Sequence, residues 1–318
     1  MSTKTRIIEI DIAKGILILF VLLGHSPICK WGGACINSFH MAAFFFLSGL
    51  TYNYKGNLGH FLEKKTKGIL FPYLEFSVVF LVFSYLKYIL HLGGGIFDIL
   101  SGIESILLPV SGRPTTTVYG LWFLPCLYLI EVLISTSEWI NSRCRYLGGF
   151  LGLSAITLCI LLYLITGVAS ILSILPIGFC FLFLGKLFRH YLHLINSNKY
   201  ILLFIGSLLY MITVYINATT FTYDIDLSSM NLGFWPIYMV SCLSGTCIIL
   251  SACFIIKSKI ISIIGRDSIY YYGLHYCFIG IVSKMLGGVW CMFITLLFTA
   301  PLVYIFKTIK SKIKLLSK

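Results

Sequence analysis

Lys14 and His25 stand eleven positions apart in the apolar stretch IDIAKGILILFVLLGH, residues 10–25. On a helix, at roughly 100° and 1.5 Å per residue, that separation is three turns plus about 20°, with a rise of about 16 Å. The two side chains therefore share one face, the cation below and the imidazole above. Asp11, three residues before Lys14, lies on the same face and within reach of it. Charged groups inside an apolar span turn toward protein or water rather than lipid. Histidine is the usual general base near neutral pH, so the stripe reads as a place where a proton can be moved, with a cation at its far end. The plainer alternative is a neutralised Asp11–Lys14 pair and an interfacial histidine. Two more histidines weigh against it. His40 comes early in the second apolar run, and His275 about thirteen residues, roughly 20 Å, into the ninth. Each alone is most simply a satisfied core residue. Three at one depth line a site.

Other polar groups carry weaker signals. Glu131 is deep in the fourth apolar run, after GLWFLPCLYLI, where Trp122 also lies. Trp122 and Trp235 have the shape for stacking on a sugar, although aromatic residues also gather at membrane interfaces. Ser48 and Gly49, in FFFLSGL, read as small residues for close helix packing rather than as a nucleophile. The chain has no GxSxG, Walker or dinucleotide fingerprint. Its 11 cysteines are scattered through apolar runs without CxxC pairs or Cys/His clusters, so no metal is expected. Cys29 and Cys35 share a short outer loop, and their spacing leaves pairing open.

The elements that must position these groups follow from composition. The 318 residues are 58% hydrophobic and 11% charged, with a mean hydropathy of +0.95. A soluble domain carries about 25% charged residues. This composition predicts an all-α integral membrane protein with a single transmembrane domain over residues 1–318. Ten apolar runs are long enough to cross a bilayer, at about 7–25, 34–53, 70–90, 118–136, 147–166, 168–188, 200–217, 233–256, 262–282 and 288–307. The N-terminal run is read as a retained span, since its basic N-terminal region carries Glu9 and Asp11 and no small-residue cleavage site follows.

With both termini cytoplasmic, 19 of the 24 Lys and Arg fall in inner segments. Three (Lys30, Arg113 and Lys284) fall in outer loops, and Lys14 and Lys87 within spans. That asymmetry accounts for the net charge of +13, so nucleic acid is not called for as a partner. It also puts His25, His40 and His275 in the outer half of the membrane. The longest outer loop, about His91–Val118, contains HLGGG and SGRPTTT.

These residues resemble the acyltransferase-3 family of integral-membrane O-acyltransferases, and within it the fucose-4-O-acetylase-like branch. The family's first span carries a basic residue followed after ten others by histidine, here Lys14 and His25, with Asp11 three before. SFHMAAFFFLSGLTYN (38–53) is similar to its second-span signature and FLEKKTKGILFPY (61–73) to its basic inner loop. GLWFLPCLYLIE (120–131) and IGRDSIYYYGLH (264–275) are similar to its fourth-span and late-span patterns. The chain departs from the pattern at Ala42, where many relatives have proline, and at Lys14, where arginine is commoner. It looks like the stand-alone form, without a further domain after the tenth span.

The resemblance implies transfer of an acyl group, most often acetyl, from cytoplasmic acyl-CoA to a hydroxyl of a surface polysaccharide, glycolipid or lipid-linked precursor, in a bacterial cytoplasmic membrane. His25 would be the base or a transient acyl carrier. Lys14 would hold a phosphate or polarise the donor. Lys64, Lys65, Lys67 and Arg266 would meet the CoA phosphates, unless they are only the positive inner surface. His40, His275, Trp122 and Glu131 would bind the acceptor or stabilise an oxyanion, with Asp11, Ser48 and Gly49 as structural support. The competing class is a polytopic transporter or flippase for a glycan or lipid-linked intermediate. The absence of an internal repeat or of paired broken spans counts against it.

Overall fold

The computed structural model of the chain describes residues 7–90, 99–107 and 119–316. The helices in chain order are α1 (Ile8–Gly24), α2 (Lys30–Asn37), α3 (His40–Thr51), α4 (Leu58–Lys65), α5 (Phe71–Ile89), α6 (Ile99–Leu107), α7 (Phe123–Asn141) and α8 (Leu147–Thr166). They continue as α9 (Ile171–Phe188), α10 (Leu192–Ser197), α11 (Lys199–Thr220), α12 (Trp235–Ile255), α13 (Lys259–Arg266), α14 (Ser268–Leu274), α15 (Tyr276–Val282) and α16 (Gly288–Leu316). Among the described residues there is no strand beyond one bridge between Asp226 and Asn231. Most of the long predicted outer loop, His91–Val118, lies outside the described residues.

Eight helical stretches among the described residues are long and apolar enough to span a bilayer. In lipid every backbone polar group must be satisfied within the segment, which an uninterrupted helix does. The helix α8 illustrates the pattern. It begins and ends at Leu147 and Thr166, closed by Gly167 at φ +63°, and leaves Leu153, Leu158, Leu164 and Ile165 exposed for lipid. The two remaining predicted spans differ from the eight. The first is α1, which at 17 residues is about 26 Å long. The ninth is not one helix: the run 262–282 is broken at Asp267 and at His275 into the ends of α13, α14 and α15. The second predicted span begins earlier, as α2 leading into α3, and the third is extended by α4 and a π-helical turn at Thr66–Leu70.

The helices form two units, Met1–Phe44 with Leu192–Ile225 and Gly233–Lys318, and Phe45–Tyr191 with Asp226–Leu232. In the first unit α1 packs along α13, and α11 along α12. The α1–α13 contact is backbone on backbone. A Cβ at Gly265 would collide with the Asp11 carbonyl, and a Cβ at Gly15 with the Ile261 carbonyl. Ser258 caps α13 by accepting from the Ile261 N–H at 3.3 Å. In the second unit α7 packs on α8 and α9. There α3 and α9 meet in the same way, Gly49 against the Leu182 carbonyl and Gly185 against that of Phe46. Small residues permit such close approach between helices in lipid.

The Gly265 contact gives a direct expectation. Gly265→Ala forces the two backbones apart and should cost about 1–3 kcal/mol, the usual penalty of overpacking. The check is thermal unfolding of the purified protein in detergent, and an unchanged midpoint would refute the close crossing.

Candidate active site

His25 follows the last residue of α1, at the point where the helix opens and its C-cap backbone stays near φ −90°. The ring is exposed. Its Nε2 lies 2.7 Å from the Tyr276 hydroxyl, with Nδ1 at 3.3 Å from the same oxygen. Tyr276 is the first residue of α15, so the break in the ninth span brings it there. The preceding residue, His275, is fully buried. The ring centroids of His25 and His275 are 5.4 Å apart, those of His25 and Tyr276 4.8 Å, and those of His275 and Tyr276 4.2 Å.

The tautomer of His275 follows from its partners. Nδ1 is 2.8 Å from the Tyr272 carbonyl oxygen and 3.2 Å from that of Tyr271. Carbonyls only accept, so Nδ1 carries the proton and Nε2 the lone pair. That Nε2 is buried with no hydrogen-bond partner among the described residues. A buried polar atom without a partner costs free energy and calls for an explanation. A fixed lone pair accepts from a hydroxyl, whereas an oxyanion would need the doubly protonated ring. His40, the first residue of α3, is buried, and its Nδ1 donates to the Ile36 carbonyl oxygen at 2.8 Å. One turn earlier, Ile36 and Asn37 face Gly24, the residue before His25. Three of the residues singled out from sequence, His25, His40 and His275, thus belong to one unit, and of these the rings of His25 and His275 meet.

The lower part of the stripe is also in this unit. Asp11 is buried and Lys14 half-buried on α1. Arg266 ends α13, with Nη2 3.4 Å from Asp267 Oδ2, and Lys307 Nζ lies 2.7 Å from Asp267 Oδ1. Asp267 is 8% exposed and sits between the two cations. Reading the sequence alone passed over Asp267, Lys307 and Tyr276. A carboxylate at the first break of an apolar run was the available signal for Asp267. For Tyr276, the available signal was its position directly after His275.

Trp235, the first residue of α12, is exposed in the first unit, and the remaining predicted groups belong to the second. Lys65 Nζ makes an ion pair with both oxygens of Glu131, at 2.7 and 2.6 Å, and Glu131 is 2% exposed. A residue expected to bind acceptor and one expected to bind CoA thus take up each other's charge. Lys64 is exposed, and Lys67 pairs with Glu63 one turn away at 2.5 Å. Trp122 is buried, its ring edge-on to Phe123. Ser48 is half-buried beside the Gly49–Leu182 crossing. All 11 cysteines are free thiols, and Cys29 caps α2, its Sγ accepting from the Gly32 N–H at 3.4 Å.

A family model described as an acyltransferase domain, that of the acyltransferase-3 family, matches residues 7–309. No curated protein and no solved structure matches the chain.

Proposed function

Because the chain belongs to the acyltransferase-3 family, we propose that it is a membrane O-acyltransferase that moves an acyl group, most simply acetyl, from cytoplasmic acyl-CoA to a hydroxyl of a surface glycan or its lipid-linked precursor. The observation that carries the reading is the His25–Tyr276 contact at 2.7 Å, packed against the unpartnered Nε2 of His275. The Lys and Arg asymmetry supports cytoplasmic termini, and the family reading puts the site of action in a bacterial cytoplasmic membrane.

The chemistry needs one base and one oriented hydroxyl. In the tautomer whose Nε2–H donates to the Tyr276 oxygen, Nδ1 of His25 holds the lone pair. Nδ1 takes the proton of the acceptor hydroxyl as its oxygen attacks the thioester carbonyl carbon. The C–S bond breaks, and the proton passes from His25 to the departing CoA thiolate. His275, buried beside His25 and Tyr276, packs its ring against theirs and fixes their spacing. Positioned proton transfer of this kind contributes about 10²–10⁴-fold.

Tyr276 is a positioning residue in this scheme, because it acts by holding the His25 ring. Tyr276→Phe removes the hydrogen bond and keeps the packing. It should lower kcat about 10-fold and leave KM for both substrates unchanged, since about 1.4 kcal/mol corresponds to tenfold in rate and a hydrogen bond to a group that becomes charged contributes about that much. The assay is release of CoA thiol by purified protein in the presence of glycan acceptor. A wild-type kcat in the variant would remove Tyr276 from the mechanism. To test the function itself, membranes are incubated with labelled acetyl-CoA and the glycan is examined for base-labile label; label taken up on amide nitrogen only would overturn the assignment of a hydroxyl acceptor.

A further inference from the structure

In the second unit the C-terminal ends of α3, α7 and α9 border a cavity of about 620 Å³ whose lining includes Tyr52, Tyr54, Glu138, Lys186, Arg189 and Tyr191. Pockets for small ligands run from about 300 to 1,000 Å³. The C-termini of α3 and α7 bring partial negative charge to this place, which by itself favours cations there, while α9 runs on through a tight turn at Arg189–Tyr191 into α10. The individual groups go further than that. Lys186 is neutralised by an ion pair with Glu138, and its ammonium lies 5.4 Å from the centre of the Tyr52 ring. Arg189 has no carboxylate partner among the described residues. It gives one N–H, from Nη1, to the Tyr52 carbonyl oxygen at 3.2 Å. A guanidinium has five such donors in a planar fork that matches phosphate. The Tyr54 hydroxyl is buried with no partner among the described residues. Tyr191 is 53% exposed and offers a ring face.

A guanidinium with donors to spare beyond its bond to the Tyr52 carbonyl, an unpartnered hydroxyl and an exposed tyrosine ring in one cavity suit a ligand with phosphates and a flat base. We propose that this cavity holds the adenosine 3′-phosphate 5′-diphosphate end of the acyl-CoA donor. Arg189 takes a phosphate, Tyr54 donates to a phosphate or ribose oxygen, and the adenine lies on Tyr191. The proposal rests on the acyl-CoA reading above, and on the N-inside orientation these helix ends face the cytoplasm, where CoA is made. It moves the nucleotide away from the basic residues the sequence favoured. Of those, Lys65, Lys67 and Arg266 each face a carboxylate, that of Glu131, Glu63 or Asp267.

The test uses the full-length protein in phosphatidylcholine nanodiscs and titrates coenzyme A calorimetrically. Arg189→Glu should weaken binding at least tenfold. A wild-type protein that binds no CoA would overturn the donor reading itself. CoA binding that is equal in wild type and variant would overturn the cavity assignment and leave the donor reading standing. A second measurement needs no variant: wild-type protein is irradiated with a photoreactive azido analogue of adenosine 3′,5′-bisphosphate. Adducts within residues 52–54 or 186–191 are expected, and adducts confined to residues 58–70 would overturn the proposal. Labelling abolished by added phosphatidylglycerol, and not competed by CoA, would assign the cavity to an anionic lipid headgroup and overturn it as well.

Discussion

His25→Ala is expected to lower acyl transfer at least about 10²-fold, the usual weight of a positioned acid–base group, while the protein still folds and inserts. The ring is exposed at the end of α1, so its removal opens no buried cavity; the losses include its contacts with Tyr276 and with the His275 ring. His25→Gln separates the two roles of the ring. Glutamine can still bond to the Tyr276 hydroxyl but cannot take a proton. Turnover as low in Gln as in Ala identifies the base, whereas substantial recovery in Gln would reduce His25 to a hydrogen-bonding residue. Intact-mass analysis after mixing with donor and no acceptor distinguishes a base from an acyl carrier. A base gives no adduct, and an acyl group on His25 would replace the direct attack by a two-step transfer.

Removing Glu131 should have the largest effect on stability. Its carboxylate is 2% exposed and holds the Lys65 ammonium by both oxygens. Breaking a buried ion pair from one side costs about 3–5 kcal/mol because the other charge is left uncompensated. Lys65 keeps some access to water, at 21% side-chain exposure, which puts Glu131→Ala near the lower end, about 3 kcal/mol. The double variant Lys65→Met with Glu131→Leu should recover most of that loss, since apolar replacement of both partners is commonly near neutral. Thermal midpoints of the two single variants and the double variant, in one detergent, measure the coupling. If the double variant regains stability and also activity, the pair is structural. If it is stable but inactive, the acceptor-binding role for Glu131 that the sequence pointed to gains support.

The stripe on the first helix was legible because helical spacing is a local property. Eleven positions put Lys14 and His25 on one face whatever surrounds them. The ends of α8 fell where the apolar run did, because Gly167 marks its stop and lipid asks nothing more of its surface. Other features depend on partners far along the chain. The pairing of Lys65 with Glu131 joins groups 66 residues apart; alone, Glu131 reads as an isolated intramembrane charge and Lys65 as one more cation of the basic inner loop. The break in the ninth span escaped notice because hydropathy averages over a window and does not register where a helix stops. Asp267 and His275 satisfy the local backbone and neighbouring cations with their side chains, and that compensation is invisible in composition. Lys186 and Arg189 were absorbed into the basic inner surface, where charge counting gives no reason to separate one cation from the next.

The glycine crossing of α1 and α13 has a mechanical consequence. Gly15 and Gly265 let the two backbones touch, so neither helix can slide past the other without lifting away. A slip of one turn would displace α1 by about 5.4 Å, as far as the 5.4 Å between the His25 and His275 rings. Ten residues below the imidazole, the crossing acts as a detent. It indexes the first helix to the broken one, and so sets which rung of α1 presents its histidine to the tyrosine.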